Sequence, residues 1–135
     1  MADDCIFCSI VAGDAPATIV DEDDHTIAFM DIHPWTKGHL LVIPREHHVN
    51  LYDVPDETLA HVHQAAKRIA IKVRDNLNAD GVNILQSTGR AAWQTVFHFH
   101  VHVIPRYEGD PLELPVRPQE GDPDEIKEDA EKLRG

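Results

Sequence analysis

Three histidines at alternate positions constrain this chain more than any other feature of its sequence. Between residues 94 and 105, His98, His100 and His102 alternate with apolar side chains. Strict alternation is typical of a β-strand with one buried face, because successive side chains of a strand point to opposite sides. We therefore predict a strand over residues 94–105 with the histidines on one face. The core-facing side is predicted to consist of the intervening residues Phe99, Val101 and Val103.

The spacing of the histidines limits what they can do together. A strand rises about 3.3 Å per residue, so His98 and His102 stand roughly 13 Å apart. Zn–N bonds are only about 2.0 Å long, so these two rings cannot bind the same ion. On the residues alone, three interpretations are open: a face satisfied by hydrogen bonds, a metal site formed by an adjacent pair, or a nucleophile for phosphorus. The last is reasonable because free histidine has a pKa of about 6.5, which leaves most rings neutral at pH 7.

The segment just before the histidines contains small and polar residues around one glycine. Residues 87–93 read Ser-Thr-Gly-Arg-Ala-Ala-Trp. A loop of this kind allows backbone N–H groups to converge on an anion. In the nucleophile interpretation, such donors would stabilise the charge that develops on the phosphoryl oxygens.

Composition and charge disfavour several classes of function. The chain has 135 residues, which suits one compact domain. It carries 24 acidic and 12 basic residues, and its net charge of −12 repels nucleic-acid backbones and anionic membranes. No apolar run is long enough for a transmembrane helix, and residues 1–4 lack the basic start of a signal peptide. We expect a cytoplasmic protein with neither nucleic-acid nor membrane partners.

The N-terminal segment holds both cysteines of the chain, Cys5 and Cys8. In a reducing compartment a C-x-x-C pair is a metal half-site, a redox pair or a pair of buried thiols, and the spacing leaves all three open. A zinc site requires two further ligands, and the ten histidines offer candidates. The apolar residues around the pair fit one short helix that ends before Gly13, namely Ile6, Phe7, Ile10 and Val11.

Residue patterns predict four further segments of β-strand. Residues 18–21 and 25–31 are predicted to form a hairpin around an acidic turn. Residues 39–44 are nearly all apolar and are predicted to form a central strand of the sheet. One more strand is predicted over residues 82–86, after the long helix.

A long helix is predicted over residues 53–77, with Asp53 as its N-cap. His61 and His63 lie two positions apart on this helix and do not face each other, so we expect surface or edge positions for both. A short charged helix is predicted over residues 124–134. The buried stripe of the long helix is expected to consist of Leu59, Val62, Ala66, Ile69, Val73 and Leu77.

Five blocks of the sequence resemble, in order and spacing, the histidine triad (HIT) family of nucleotide hydrolases and transferases. They are residues 5–8, 27–32, 38–47, 94–96 and 98–104, the last with the pattern His-x-His-x-His. The resemblance implies an α+β fold of the HIT-like type, with about five antiparallel strands, one long helix and a short N-terminal helix. We expect a single HIT domain over residues 1–135, with its core in 1–107 and an acidic, proline-rich tail in 108–135.

The resemblance implies distinct roles for the histidines and their neighbours. His100 would attack the α-phosphate of a purine nucleotide and form a covalent nucleotidyl-histidine intermediate, which water then hydrolyses. His102 would bind the phosphate or assist the leaving group, and Asp31 would contact the ribose. The phosphate would be lined by Ser87, Trp93, Gln94 and Thr95, and the purine by Ile6, Phe7, Ile10, Phe29 and Ile32.

The resemblance also implies a structural zinc ion, whereas the chemistry itself would require no cofactor. Zinc-containing members bind the metal at positions that match Cys5, Cys8, His47 and His98 in this chain. Two thiolates and two imidazoles complete a tetrahedron and leave no position for a catalytic water. Proteins of this family and size are commonly homodimers, so a homodimer is the implied state.

Two positions depart from the family pattern. Ser87 or Thr88 stands in the region of a family asparagine, and Trp93 replaces a common glycine. These changes bear on substrate preference more than on the chemistry. Residues 106–110 resemble dinucleoside polyphosphate hydrolases more than nucleoside phosphoramidases, and both leaving groups stay candidates. The alternative to an enzyme is a nucleotide- or zinc-binding regulatory module with little turnover.

Overall fold

A computed structural model describes residues 4–135. Residues 1–3, which entered the expectation about a signal peptide, lie outside the described residues. Among the described residues, no helix is both long enough and apolar enough to cross a membrane. The elements are α1 (Ile6–Val11), β1 (Ile19–Glu22), β2 (Thr26–Met30), β3 (Leu40–Pro44), α2 (Asp56–Leu77), β4 (Gly81–Leu85), β5 (Val101–Arg106) and α3 (Pro123–Arg134).

The five strands form one antiparallel sheet in the order β1-β2-β3-β5-β4. The predicted hairpin is present as β1 and β2, and β3 lies in the middle of the sheet as expected. All five residues of β3 are buried, which explains its nearly continuous apolar sequence. The predicted fold class, including the long helix and the short N-terminal helix, is confirmed.

The two faces of the sheet are covered by different layers. The face under α2 is packed by alternate residues of the strands with the helix stripe, including Val62, Ile69, Val73, Phe99, Val101 and Val103. The opposite face packs against α1 through a second apolar cluster, formed by Phe7, Ile10, Ile27, Phe29, Leu41 and Ile43. Because strand side chains alternate, β2 contributes Ala28 to the first cluster and its two neighbours to the second.

The strand with the histidines is shorter than predicted. β5 begins at Val101, and residues 94–100 have no ladder bonds of their own. The Phe99 N–H instead donates to the His48 carbonyl at 2.6 Å, and the Gln94 side-chain amide donates to the Val49 carbonyl at 2.7 Å. The prediction of a strand from residue 94 is therefore wrong, because this segment bonds to the loop after β3. The burial of the intervening apolar residues is confirmed, since Phe99, Val101 and Val103 are all fully buried.

The start of α2 also differs from the prediction. The helix begins at Asp56 and its N-cap is Pro55, so the assignment of Asp53 as the cap is wrong. The Asp53 carboxylate accepts hydrogen bonds from the N–H groups of Val49 and Asn50, at 3.0 and 2.8 Å. It is thus used to close the preceding turn. The predicted stripe holds in the middle of the helix, where Val62, Ala66, Ile69 and Val73 are buried.

Candidate active site and metal centre

Two cysteines and two histidines from three parts of the chain meet at one point. Cys5 and Cys8 lie at the start of α1, His47 follows β3, and His98 precedes β5. The Sγ–Nδ1 distances are 3.5 Å for Cys5 to His98, 3.5 Å for Cys8 to His98 and 3.3 Å for Cys8 to His47. With Zn–S bonds of about 2.3 Å and Zn–N bonds of about 2.0 Å, a tetrahedral zinc site requires S···N separations of about 3.5 Å. The residues therefore fit a tetrahedral zinc ion in both donor type and spacing.

The ring of His98 is oriented with one nitrogen towards the thiols. Its Nε2–H donates to the Pro44 carbonyl at 3.0 Å, which leaves the lone pair on Nδ1, the nitrogen that faces both cysteines. Burial lowers the pKa of His98 to about 4, so the ring is neutral at pH 7. A metal-binding histidine needs a neutral ring whose second nitrogen is held by an acceptor, and His98 meets both conditions.

In His100 the unprotonated ring nitrogen is Nε2, whereas in His98 it is Nδ1. The Nδ1–H of His100 donates to the carbonyl of His98 at 2.8 Å, so the lone pair lies on Nε2. Among residues 4–135, Gln86 Nε2 is the one buried side-chain nitrogen or oxygen without a partner. His100 Nε2 has no protein partner among these residues either, and it therefore reaches solvent. Burial lowers the pKa of His100, so the neutral ring is favoured at pH 7 and Nε2 keeps its lone pair.

His102 is held in a defined tautomer by His39 and the loop before β3. The Trp35 N–H donates to His39 Nδ1 at 3.0 Å, so the proton of His39 is on Nε2. That Nε2 lies 2.9 Å from His102 Nδ1 and donates to it. The proton of His102 is therefore on Nε2, where it can donate to a ligand. Burial lowers the pKa of His102 to about 4, which keeps the ring neutral.

His39 is a site residue that the sequence analysis missed. The sequence predicts it as the first residue of an apolar strand, yet it is completely buried and its ring contacts the ring of His102. The signal was present in the sequence, because β3 and β5 were both expected in one sheet and each carries histidine at one end. Without the strand register, in which Leu41 pairs with His102, nothing indicated that the two rings meet.

Asp31 lies beside this histidine pair. Its carboxylate accepts a hydrogen bond from the His33 N–H at 2.8 Å and stands 3.6 Å from His39 Nε2. The Asp31–His39–His102 group has the side-chain types of a second metal site. However, His39 Nδ1 already accepts the Trp35 N–H, so a metal on Nε2 would require an imidazolate anion. We therefore interpret His39 as the hydrogen-bond donor that orients His102, with the Asp31 carboxylate close by but beyond hydrogen-bond distance.

The residues of the predicted phosphate loop are braced mainly by Gln94. Its side-chain oxygen accepts from the Gly89 N–H at 2.8 Å, and its amide donates to the carbonyls of Val49 and Val96. This buried side chain therefore shapes the loop. Ser87 is buried and Thr95 is exposed. Trp93 is 64 % exposed and has a left-handed backbone, with φ 75° and ψ 21°.

The predicted purine wall divides into buried and open residues. Phe7, Ile10 and Phe29 belong to the core cluster under α1, and the Phe7 ring packs edge-on against His100 with centroids 5.2 Å apart. Ile6 and Ile32 are 51 % and 84 % exposed. Only the last two offer open apolar surface, while the other three are buried in the core.

Comparison with known proteins identifies the family. The family model described as HIT domain matches residues 12–109. The chain belongs to the HIT family. The Bacillus subtilis protein named Protein hit is 48% identical to this HIT protein over 110 residues, which are 81% of this chain and 76% of the relative. Members of the family are generally nucleotide hydrolases or transferases.

Solved structures of HIT proteins share this fold over most of the chain. A Zn-bound histidine triad family protein from Mycobacterium smegmatis is 49% identical, with a TM-score of 0.80 and coverage of 86% of this chain and 84% of that one. A HIT family member from Bacillus subtilis has a TM-score of 0.89 at 39% identity, covering 98% and 96%. A histidine triad nucleotide-binding protein from Candida albicans has a TM-score of 0.83 at 34% identity, covering 96% and 94%.

Proposed function

We propose that this HIT protein hydrolyses a purine nucleotide at its α-phosphate, with His100 as the nucleophile. The proposal depends on one observation above all: His100 donates its Nδ1–H to the His98 carbonyl, which leaves Nε2 unprotonated and without a hydrogen-bond partner among the described residues. Burial favours the neutral ring. A neutral, oriented imidazole is the form that attacks phosphorus.

The reaction proceeds in two displacements. His100 Nε2 forms a bond to the α-phosphorus, and the bond from that phosphorus to the leaving group breaks, with its electron pair going to the leaving group. Water then attacks the phosphorus of the nucleotidyl-histidine and gives its proton to the solvent. The N–P bond breaks, its electrons return to Nε2, and the nucleoside monophosphate is released. No step requires a metal or an organic cofactor.

The neutral state of His102 favours a leaving group that departs without a proton. His102 is held with its proton on Nε2, and burial lowers its pKa to about 4. In this state it donates a hydrogen bond to a phosphate oxygen and is a poor general acid. A polyphosphate departs as an anion, whereas an amine must be protonated. We therefore favour dinucleoside polyphosphates over nucleoside phosphoramidates as substrates.

The remaining assignments are part of the same proposal. Cys5, Cys8, His47 and His98 would hold a structural zinc ion, as their spacing and donor types allow. Asp31 would bind the ribose hydroxyls from its position beside the histidines. Ser87, Thr95 and the backbone at Trp93, supported by Gln94, would surround the phosphate, and Ile6 and Ile32 would contact the base above Phe7, Ile10 and Phe29. The protein would act in the cytoplasm, as one domain with the tail from residue 108.

The experiment that tests the proposal replaces the nucleophile. His100→Ala is expected to reduce AMP release from diadenosine tetraphosphate by roughly a thousandfold or more, because no other group forms the covalent bond. Chromatography of quenched reactions measures AMP, and mass spectrometry of rapidly quenched wild-type protein is expected to detect nucleotidylated His100.

The control variant is His63→Ala, which removes an exposed histidine of α2 and is expected to retain wild-type turnover. A regulatory module with little turnover, the alternative function, would give a different result in the same assays. Wild-type protein would then bind nucleotide without releasing AMP, and His100→Ala would bind it equally well. That result would remove the enzymatic proposal.

We also propose that two copies of the chain associate through α2 and β4. β4 is an edge strand whose Val82 and Ile84 are 39% and 44% exposed, and Ile71 of α2 is 41% exposed. A groove of about 230 Å³ separates the two elements and is lined partly by apolar atoms. An unpaired, apolar strand edge is a surface that soluble proteins usually cover.

The mass in solution tests this assembly. Sedimentation is expected to give about twice the chain mass of 15.2 kDa for the wild type, and roughly the single-chain mass for Ile84→Asp, because the charge would be buried in the interface. Ile126→Asp places the same charge on α3, where Ile126 is 57% exposed, and is expected to leave the dimer intact. A monomeric wild type would contradict the proposal.

A further inference from the structure

Trp35 contacts the site with only part of its ring. The indole lies nearly parallel to the His102 ring, with centroids 5.5 Å apart and an angle of 21° between the planes. Its edge approaches His39, with centroids 5.4 Å apart and an angle of 65°. The residue is nevertheless 48 % exposed. The contacts with His39 and His102 therefore leave about half of the side chain accessible to a ligand.

The loop that carries Trp35 is fastened to the sheet. The Thr36 hydroxyl donates to the Pro105 carbonyl at 2.6 Å, and the Tyr107 hydroxyl donates to the Lys37 carbonyl at 2.8 Å. The Trp35 N–H is itself bonded to His39. A half-exposed aromatic ring that is already held in place loses little conformational freedom when a ligand stacks on it. The exposed part of the indole is therefore a preorganised surface for stacking.

The positions of the His100, His102 and Trp35 rings indicate where a leaving group would lie relative to Trp35. The His100 and His102 rings are neighbours, with centroids 5.1 Å apart, and Trp35 lies against His102. Within residues 4–135, Trp35 makes no ring contact with His100. In an in-line displacement the leaving group departs on the side of phosphorus opposite the nucleophile. A leaving group that binds His102 on the side away from His100 would lie beside Trp35.

We propose that Trp35 is a specificity residue that stacks on the base of the leaving nucleotide. The inference rests on the proposed function, and it selects substrates with a nucleoside at both ends of the polyphosphate. Stacking of a base on an aromatic side chain changes affinity by roughly tenfold or more. Every base has a π-face, so Trp35 recognises the presence of a second base more than its identity.

The first test compares two substrates that both yield AMP. Diadenosine tetraphosphate has the second adenosine, and adenosine 5′-tetraphosphate lacks it. Trp35→Leu is expected to lower the ratio of their kcat/KM values by roughly tenfold, whereas Trp35→Phe keeps an aromatic face and is expected to lower it less. Any effect of Trp35 on His102 acts on both substrates and cancels in the ratio. A ratio that Trp35→Leu leaves unchanged overturns the proposal.

The second test does not depend on turnover. The chain contains two tryptophans, so the double variant Trp93→Phe/His100→Ala has Trp35 as its one fluorophore of this kind. Diadenosine tetraphosphate is expected to quench Trp35 fluorescence more strongly than adenosine 5′-tetraphosphate at saturation. Equal quenching overturns the stacking. If the wild type released AMP from neither substrate, the proposed function would fail, and this titration would still decide whether the second base meets Trp35.

Discussion

At the scale of single residues, Trp93 adopts a backbone conformation that bulky side chains rarely adopt. Its φ of 75° and ψ of 21° lie in the left-handed region, where a Cβ atom crowds the backbone. The strain is retained because the surrounding loop is fixed, with the Trp93 N–H bonded to Arg90 and the Gln94 N–H bonded to Gly89. The family glycine expected at this position tolerates such angles without strain.

Replacing Trp93 by glycine is therefore expected to stabilise the protein. Trp93→Gly should raise the free energy of unfolding by about 1 kcal/mol, because the left-handed conformation then carries no steric penalty and the exposed indole contributes little packing. Urea denaturation measures the change. Trp93→Ala is the matched control, since it removes the indole but keeps the Cβ atom and the strain. Equal stabilities of the two variants would refute this explanation.

The chemical roles of individual residues were easier to predict from the sequence than the hydrogen-bond partners that orient them. The spacing of the three histidines indicated that they do not all bind one ion, and the resemblance assigned their roles. The acceptor of His100 was not predictable, because it is the carbonyl of its own neighbour, His98. His39 was missed since its contact with His102 depends on the register of two strands that are distant in sequence.

At the scale of elements, the turn between β1 and β2 is organised by one carboxylate. Asp23 accepts hydrogen bonds from the N–H groups of His25 and Thr26, at 2.8 and 2.7 Å, and from the Thr26 hydroxyl. Arg68 of α2 donates to the same side chain at 2.7 Å. Burial by itself raises the pKa of Asp23, but these donors outweigh it and hold the pKa at about 2. The carboxylate thus ties the hairpin to the long helix.

Asp23→Ala is expected to lower the free energy of unfolding at pH 7 by about 1 kcal/mol. The pKa shift from 3.8 to about 2 would correspond to more, but the side chain is 37% exposed and solvent screens it. A lowered pKa contributes stability that is complete above pH 3.8 and is lost as the pH falls through 2. The deficit of the variant should therefore shrink in denaturation experiments near pH 2.

The neighbouring carboxylate provides the control for this turn. Asp24 is exposed, so Asp24→Ala is expected to change stability by less than about 0.5 kcal/mol at either pH. Similar losses in the two variants would mean that the general negative charge of the turn matters, and that the hydrogen bonds of Asp23 do not.

Most elements were predictable because their apolar patterns are strong, whereas their ends depended on contacts that patterns do not contain. α2 was predicted from its apolar stripe. However, the Asp53 carboxylate accepts hydrogen bonds from the preceding N–H groups of Val49 and Asn50, and the N-cap is Pro55. The sequence predicts β5 seven residues too early, because phenylalanine and histidine already alternate over residues 97–100. Residues 94–100 instead bond to the loop after β3.

At the scale of the whole molecule, the Cys/His cluster joins α1 to the sheet. Cys8→Ser is expected to reduce bound zinc from about one ion per chain, and to lower the melting temperature by roughly 10 °C, because metal binding is coupled to folding. Elemental analysis and thermal denaturation measure the two effects. His48→Ala, beside His47 but outside the cluster, is expected to keep both zinc and stability. Metal-free wild-type protein of undiminished stability would contradict the assignment.

His98 contacts the Cys/His cluster and His100 through two different groups of atoms. Its ring faces the thiols, but the group that orients His100 is its peptide oxygen. No substitution at position 98 removes a peptide oxygen. The orientation of His100 therefore depends on the course of the main chain at His98. A variant with well-packed apolar side chains at all four Cys/His positions is expected to keep this hydrogen bond.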